Sequence, residues 1–229
     1  MTDIMDVVAT GDRSGMYADV VFCLDMTGNC TGLDQVRNGL RAFRDKYEAA
    51  CLDHKMMPLK RLRVRFVLFK DYRCDRDPMV ESEFFTLDED IEEALAFLGD
   101  RYSSGGGDLA ENSLEALAYA VDSEWLCEEA EGCVSRNIIC LVTDAPPKAL
   151  GECEDCVGYP ENMPKSLDEI FDRWYSTNAR IKRMLLVTPD IEPWRSCTER
   201  TNVFGMAVRE GCGCHEADIL NDFCQIMWL

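Results

Sequence analysis

Three side chains that carry oxygen donors follow an apolar segment near the start of the chain. Asp25, Thr27 and Asn29 are spaced two residues apart, and Gly28 lies between the last two. A tight turn at Gly28 would direct Thr27 and Asn29 towards the same point as Asp25. Carboxylate, hydroxyl and amide oxygens are the ligands that Mg²⁺ and Mn²⁺ prefer. We therefore predict that this turn forms half of a divalent-cation site.

Two further segments could supply the remaining ligands. A glycine-rich loop, 105–107, precedes Asp108 and Glu111, and Asp144 directly follows a second apolar segment. In a parallel α/β sheet, ligands bind beyond the carboxyl ends of the strands, at the point where strand order reverses. We therefore expect Asp25 and Asp144 to face one crevice, with Asp108 or Glu111 completing the ligand shell.

The cysteines offer a second, weaker prediction of a metal site. Most of the 13 cysteines are expected to be reduced thiols, and several lie in apolar segments, where cysteine acts as a small hydrophobe. Thiolates and imidazole suit structural Zn²⁺, but acidic neighbours around the first cysteine pair disfavour thiolates. The candidate zinc ligands, all in loops after the later predicted strands, are Cys153, Cys156, Cys197, Cys212, Cys214 and His215.

Alternating strand-like and helix-like segments must position these side chains. Apolar segments predict strands over 18–24, 62–69, 81–87, 137–144, 183–189 and 203–208. Apolar residues three and four apart predict helices over 33–47, 91–98, 114–125, 167–174 and 219–227. The alternation predicts an α/β fold, a Rossmann-like three-layer sandwich with helices on both faces of the sheet. We expect a mostly parallel six-stranded sheet with one antiparallel edge strand, 81–87.

Composition restricts the class of protein. The chain has 229 residues, 47% of them hydrophobic, and no linker-like segment, so we predict a single domain over 1–229 with its core from about residue 17. The net charge of −19 disfavours binding to nucleic acid or to anionic membranes. The N-terminus lacks a signal-peptide pattern, and no apolar segment approaches the roughly 20 residues of a membrane helix. We expect a cytoplasmic protein.

Three segments together resemble the metal-site segments of a von Willebrand factor A (vWA) domain. They are DVVFCLDMTGN, SSGGGDLAENSLEAL and IICLVTDAPP, and their order and spacing match those of the family. The resemblance extends from about residue 17 to the end of the chain. It is closest to the intracellular group that occurs beside kinases and stress-response systems in microbes. Extracellular members of the family and integrins bind a divalent cation in a metal-ion-dependent adhesion site.

The resemblance carries over to individual residues. Asp25-x-Thr27-x-Asn29 occupies the position of the family's usual Asp-x-Ser-x-Ser, and an amide oxygen at Asn29 can still coordinate a cation. Asp144 matches the family's final Asp, which usually acts through a water molecule.

The second loop departs from the family pattern. Gly107 stands where the family usually has a Thr ligand, so Asp108 or Glu111 would have to substitute for it. The GDLAE segment is similar to the loop of β-type integrin domains, in which a carboxylate has this role. Either acid would complete a shell of oxygen ligands.

The resemblance implies a protein interaction module rather than an enzyme. An open coordination position on Mg²⁺ or Mn²⁺, with Ca²⁺ as a further candidate, would accept an Asp or Glu of a partner protein. A kinase-linked or stress-signalling system is the setting that this resemblance implies. Two alternatives remain: a metal-dependent hydrolase or phosphatase using the same cation, and a scaffold with a degenerate site. An aspartyl-phosphate mechanism is disfavoured because Thr27 stands where a second carboxylate is needed.

Overall fold

Seven strands form one sheet in the computed structural model, which describes residues 15–28, 32–42, 58–99, 101, 103–126, 133–214, 219 and 226. The strands are β1 (Met16–Asp25), β2 (Leu59–Phe69), β3 (Met79–Glu81), β4 (Phe85–Thr86), β5 (Val134–Val142), β6 (Lys182–Pro189) and β7 (Val203–Val208). The helices are α1 (32–42), α2 (Leu87–Gly99), α3 (Ser113–Val121), α4 (Leu167–Tyr175) and α5 (Trp194–Cys197). Asn29, His215, the end of the first predicted helix and most of the last one lie outside the described residues.

The order of the strands creates a switch point at the centre of the sheet. The order is β3-β2-β1-β5-β6-β7, and β4 also pairs with β2. All pairings are parallel except those of β3 and β4. If the two short strands count as one edge segment, this is the order of a doubly wound fold, which reverses between β1 and β5. Asp25 ends β1 and Asp144 follows β5, so both lie where a ligand is expected.

The sheet has seven strands instead of the predicted six, and the difference arises at one edge. The predicted strand 81–87 is replaced by β3 and β4, both antiparallel to β2. The hydroxyl of Ser82 accepts a 3.0 Å hydrogen bond from the backbone N–H of Phe66, in place of a strand carbonyl. Arg65 donates a 2.8 Å hydrogen bond to the carbonyl of Ser82. These side-chain bonds interrupt the ladder between the two short strands.

Alternating residues of β1 pack into two separate cores on opposite faces of the sheet. Val20, Phe22 and Leu24 pack with α1 and α2 on one face. Val21 and Cys23 pack with α3, α4 and α5 on the other. Burial on both faces explains the continuous apolar segment that the sequence shows here. The helix–sheet–helix arrangement confirms the mostly parallel α/β sandwich. None of the helices in the described ranges is long and apolar enough to cross a bilayer.

Candidate functional site

The turn after β1 brings two oxygen donors together. Asp25 is fully buried, and its Oδ1 accepts hydrogen bonds from the backbone N–H of Thr27 at 2.8 Å and from the Thr27 hydroxyl at 2.6 Å. Gly28 has φ of +51°, which glycine adopts without steric cost. The chain therefore folds back as the spacing of Asp25 and Thr27 predicts, whereas Asn29 lies outside the described residues.

The end of β5 joins the same cluster. Thr143 donates a 2.6 Å hydrogen bond from its hydroxyl to Oδ2 of Asp25, and its Oγ1 accepts a 3.1 Å bond from the backbone N–H of Ala145. Asp144 is 8% exposed, and its Oδ2 accepts a 2.6 Å bond from the backbone N–H of Gly213. The structure thus places Asp25 and Asp144 at one end of the sheet, as the switch-point argument predicts.

The glycine-rich loop lies directly against the turn. Ser104 donates a 2.8 Å backbone hydrogen bond to the carbonyl of Met26. Gly106 has φ of +83°, and a Cβ at this position would lie 3.0 Å from Oε1 of Glu111 and 3.2 Å from Cβ of Thr27. A residue with a side chain would therefore be both strained and crowded here. The close approach of the loop brings Glu111 next to Thr27.

Glu111 and Asp108 have different environments. Glu111 is 2% exposed, and its Oε2 has no hydrogen-bond partner. Burial and the negative charge of Asp25 raise the pKa of Glu111 to about 8, although a hydrogen bond with Thr27 opposes the shift. Asp108 is largely exposed and accepts hydrogen bonds from Nζ of Lys148 at 2.8 and 3.0 Å, which lower its pKa. Of the two candidate acids, the structure brings Glu111 to Thr27 and pairs Asp108 with Lys148.

Burial also perturbs Asp25 itself. The pKa of Asp25 is raised to about 6, chiefly because its carboxylate is removed from water. Hydrogen bonds from Thr143 and Thr27 favour the ionised form and limit the rise, whereas the charge of Asp144 adds to it. The cluster therefore holds more negative charge than its own hydrogen bonds can stabilise.

Sequence reasoning missed three residues of this region: Thr143, Asp71 and Lys148. Asp71 follows the end of β2, is fully buried, and accepts a 2.8 Å hydrogen bond from the backbone N–H of Arg73. Its position after a strand next to β1 was a usable signal, and Thr143 directly precedes the candidate Asp144. Lys148 carried no such signal, because only the fold brings its side chain back to this edge.

The donor set fits a hard divalent cation. The carboxyl groups of Asp25 and Glu111 both contact Thr27, and the charge of Asp144 acts on Asp25. Buried charges of one sign are costly unless they are compensated. The buried Oε2 of Glu111, which lacks a partner, is a free oxygen donor of the kind that Mg²⁺ and Mn²⁺ prefer. No group of three or more His, Cys, Asp or Glu side chains in the described ranges is arranged to hold a metal ion by itself. A cation here would therefore depend on the hydroxyl of Thr27 together with the acids.

The described cysteines do not converge on one point. Cys197 packs in the core on the face of α3 and α4, and Cys214 packs in the core on the opposite face. Sγ of Cys153 lies 3.8 Å from Nδ2 of Asn112. Burial raises the pKa of Cys153 to about 11 and that of Cys197 to about 12, so both favour the thiol. Zinc binding by this set stays a prediction without support from the positions of these thiols.

Comparisons with known proteins identify similar folds but no family. The sequence matches no protein-family model and no curated protein. The structure is similar to the pilus adhesin SpaC from Lactobacillus rhamnosus GG, with a TM-score of 0.55 and 14% identity over 95% of this chain and 31% of that one. It is also similar to proximal thread matrix protein 1 from the mussel byssus, with a TM-score of 0.50 and 10% identity over 94% of this chain and 48% of that one. The chain thus spans less than half the length of either protein, and at these identities the likeness shows the fold alone.

Proposed function

We propose that the chain is a vWA-type module that binds Mg²⁺ or Mn²⁺ at the carboxyl ends of β1 and β5 and uses the ion to bind an acidic residue of a partner protein. One observation carries the proposal. The hydroxyl of Thr27 donates its single hydrogen to Asp25 and also contacts the carboxyl group of Glu111. One hydroxyl cannot donate to two carboxylates at once, so an ionised Glu111 needs another positive partner. A divalent cation meets that need.

The residues have different roles in this proposal. Thr27 and Glu111 would hold the ion directly, because each has an oxygen lone pair free for it. Asp25 and Asp144 would act through water, since both oxygens of Asp25 and one of Asp144 already accept hydrogen bonds. Asn29 is a further candidate ligand from the vWA resemblance. When bound, the ion would offer a Lewis-acidic position to a carboxylate oxygen of the partner.

The rim of the site favours a protein partner. Three large apolar side chains in the described part of the chain are exposed: Leu109, Leu126 and Val157. Leu109, at 52% exposure, lies between Asp108 and Glu111 in the sequence and so adjoins the site. An exposed leucine beside a charged centre gives a partner apolar contact area around the metal bond. One protein of similar fold is named as a pilus adhesin, which adds only that the fold occurs in a protein named for adhesion.

A metal-dependent hydrolase is the second candidate, favoured by one observation. A carboxyl group with a pKa of about 8, as in Glu111, is in the range of a general base near neutral pH. The two candidates differ in what the cation does, since only the hydrolase would turn over a substrate. Incubation with p-nitrophenyl phosphate and Mn²⁺ separates them, and we expect no release of p-nitrophenol above that of the Glu111→Gln variant.

Thermal melts in Mg²⁺, Mn²⁺, Ca²⁺, Zn²⁺ and chelator test the cation site. A ligand that binds the native state raises the midpoint by mass action, about 5 to 10 °C for a chain of this size at 100 times Kd. We expect this rise with Mg²⁺ or Mn²⁺ in the wild type and in the exposed control Glu83→Gln, and its loss in Glu111→Gln. Equal midpoints in Mg²⁺, Mn²⁺ and chelator would contradict the proposed cation site. They would favour the alternative of a scaffold with a degenerate site.

Selection from a random peptide library tests the partner. Peptides bound in Mg²⁺ are released with chelator and sequenced. We expect each released peptide to need one Asp or Glu, whose replacement by Asn or Gln abolishes binding. Peptides that bind equally well without that acid, or equally well in chelator, would contradict the proposed mode of recognition.

A further inference from the structure

A cavity of about 240 Å³ opens beside the candidate cation site. Met26, which stands between Asp25 and Thr27 in the sequence, lines this cavity. The N–H of Met26 donates a 2.9 Å hydrogen bond to the carbonyl of Phe69, and its carbonyl accepts a 2.8 Å bond from the N–H of Ser104. Backbone bonds to the end of β2 and to the segment before the glycine-rich loop therefore hold this wall in place. The cavity shares the wall with the turn that carries two of the candidate ligands.

The floor of the cavity is apolar. Leu68 of β2 and Val80 of β3 are paired across the antiparallel ladder, and Leu68 and Met26 are almost fully buried. All three belong to, or pack against, the core on the face of α1 and α2. Such a floor is fixed in shape, and it suits the methylene groups of a side chain better than a hydrated ion.

Two basic side chains line the same cavity. Nζ of Lys70 donates a 3.3 Å hydrogen bond to the hydroxyl of Ser104, whose own hydrogen stays available for an acceptor. Cζ of Arg101 lies 4.7 Å from the centre of the Phe97 ring, and its Nε donates a 2.8 Å bond to the carbonyl of Phe97. These contacts orient both groups without neutralising their charges.

The charges at the cavity are not balanced. Neither Lys70 nor Arg101 belongs to an ion pair within the part of the chain that the structure describes, although the chain has 43 acidic and only 24 basic residues. Asp77 also lines the cavity, so two positive charges and one negative charge leave a net charge of one positive. A single carboxylate matches this charge better than a phosphate group, which carries about 1.5 to 2 negative charges at pH 7.

We propose that the cavity binds a second acidic side chain of the partner protein, a few residues from the acid that binds the cation. The methylene groups of this second acid lie on the apolar floor, and its carboxylate accepts hydrogen bonds from Lys70, Arg101 and Ser104. The net charge of −19 repels an acidic segment from most of the surface, so the two cations also restrict such a segment to this edge of the sheet. This inference rests on the proposed function and deepens it by naming the chemistry of the partner.

Binding of short random peptides tests the inference. Peptides selected on the wild type in Mg²⁺ are titrated, by fluorescence anisotropy, against the wild type and the double variant Lys70→Gln/Arg101→Gln. The control Lys165→Gln/Arg180→Gln loses the same charge at exposed positions that do not line the cavity. We expect the Lys70→Gln/Arg101→Gln variant to bind on the order of tenfold more weakly, as two half-exposed ion pairs would give, and the control to match the wild type. Circular dichroism checks that both variants fold.

Substitutions in the peptide complete the test on the unaltered protein. Replacement of the second acid by Asn or Gln should weaken binding to the wild type by the same factor, and should not weaken binding to Lys70→Gln/Arg101→Gln further. Phosphoserine in place of the second acid should bind no more tightly than the acid itself. Tighter binding of phosphoserine, or additive effects of the peptide and protein substitutions, would overturn the inference.

The outcomes separate the cavity from the cation site. Peptides that need Mg²⁺ but bind Lys70→Gln/Arg101→Gln as tightly as the wild type overturn the inference and leave the proposed function intact. Peptides that bind equally well in chelator, but lose affinity for this variant and on replacement of an acid, contradict only the proposed function. A selection that yields no binding peptide contradicts both.

Discussion

The hydroxyl of Thr143 donates a 2.6 Å hydrogen bond to Oδ2 of Asp25 and so joins the ends of β5 and β1 through their side chains. The other oxygen of Asp25 accepts a hydrogen bond from the hydroxyl of Thr27. With both oxygens engaged, the carboxylate has a fixed orientation at the switch point of the sheet. That orientation directs the hydroxyl hydrogen of Thr27 to Asp25 and leaves its lone pairs for another partner.

Replacement of Thr143 by Val should destabilise the protein. The variant keeps the shape of the side chain but removes the hydrogen bond to an ionised, buried carboxylate, a loss of about 1.5 to 3 kcal/mol. Urea unfolding at pH 7 measures the change. The matched control is Thr198→Val, an exposed threonine whose hydroxyl bonds within its own turn. Equal unfolding free energies for the two variants would show that the bond to Asp25 contributes nothing.

Two glycines with nearly equal φ allow the effect of backbone strain to be measured separately from that of steric crowding. Gly106 has φ of +83° and Gly158 has φ of +84°, but only Gly106 has neighbours within 4 Å of an added Cβ. Alanine at either position should lose about 1 to 2 kcal/mol from left-handed strain. Gly106→Ala should lose more, and its melting midpoint should respond less to Mg²⁺, because the methyl group would displace Glu111 or Thr27. Melts of both variants with and without Mg²⁺ check this, and identical behaviour would argue against contact of the loop with the site.

Stability without a cation should fall as pH rises. Asp25 and Glu111 have pKa values raised to about 6 and about 8, above the unfolded values of about 3.9 and 4.3. Between the unfolded and folded values the native state binds more protons, so the free energy of unfolding decreases with increasing pH. In chelator we expect a decrease of several kcal/mol between pH 4 and pH 8, because each unit of pKa shift corresponds to about 1.4 kcal/mol.

A cation and a point variant provide the controls for this pH dependence. Saturating Mg²⁺ should reduce the decrease, because the ion favours the ionised carboxylates. Glu111→Gln should abolish the decrease between pH 6 and pH 8 and make it smaller below pH 6, leaving the share assigned to Asp25. A free energy of unfolding that is constant or rises over this range in chelator would show that ionisation of the buried carboxylates does not destabilise the native state.

Much of the fold could be predicted from the sequence, because a strand that is buried on both faces appears as a continuous apolar segment. The apolar segment before Asp25 predicts a central parallel strand, and the structure shows β1 at the centre of the sheet, covered on both sides. The edge was harder to predict. Segment 81–87 has the composition of one strand. The hydrogen bond that divides it joins Phe66 of β2 to the hydroxyl of Ser82, which lies between β3 and β4 and is distant from Phe66 in the sequence.

The site was predictable only where side chains lie at strand ends. Asp25 and Asp144 follow apolar segments, so the topology of a parallel sheet places them together. The choice between Asp108 and Glu111 could not be made from the sequence, because both acids follow the same glycines. The structure separates them through Lys148, which approaches from another loop and pairs with Asp108. Contacts of this kind depend on tertiary structure and leave no local pattern.

The most direct test of the central claim is anomalous diffraction from crystals of the protein soaked in Mn²⁺, with data collected on both sides of the manganese absorption edge. The proposal predicts an anomalous peak bounded by Thr27, Glu111, Asp25 and Asp144, which disappears in crystals of Glu111→Gln. A well-diffracting wild-type crystal with no peak at this position, or with its strongest peak among the cysteines, would contradict it.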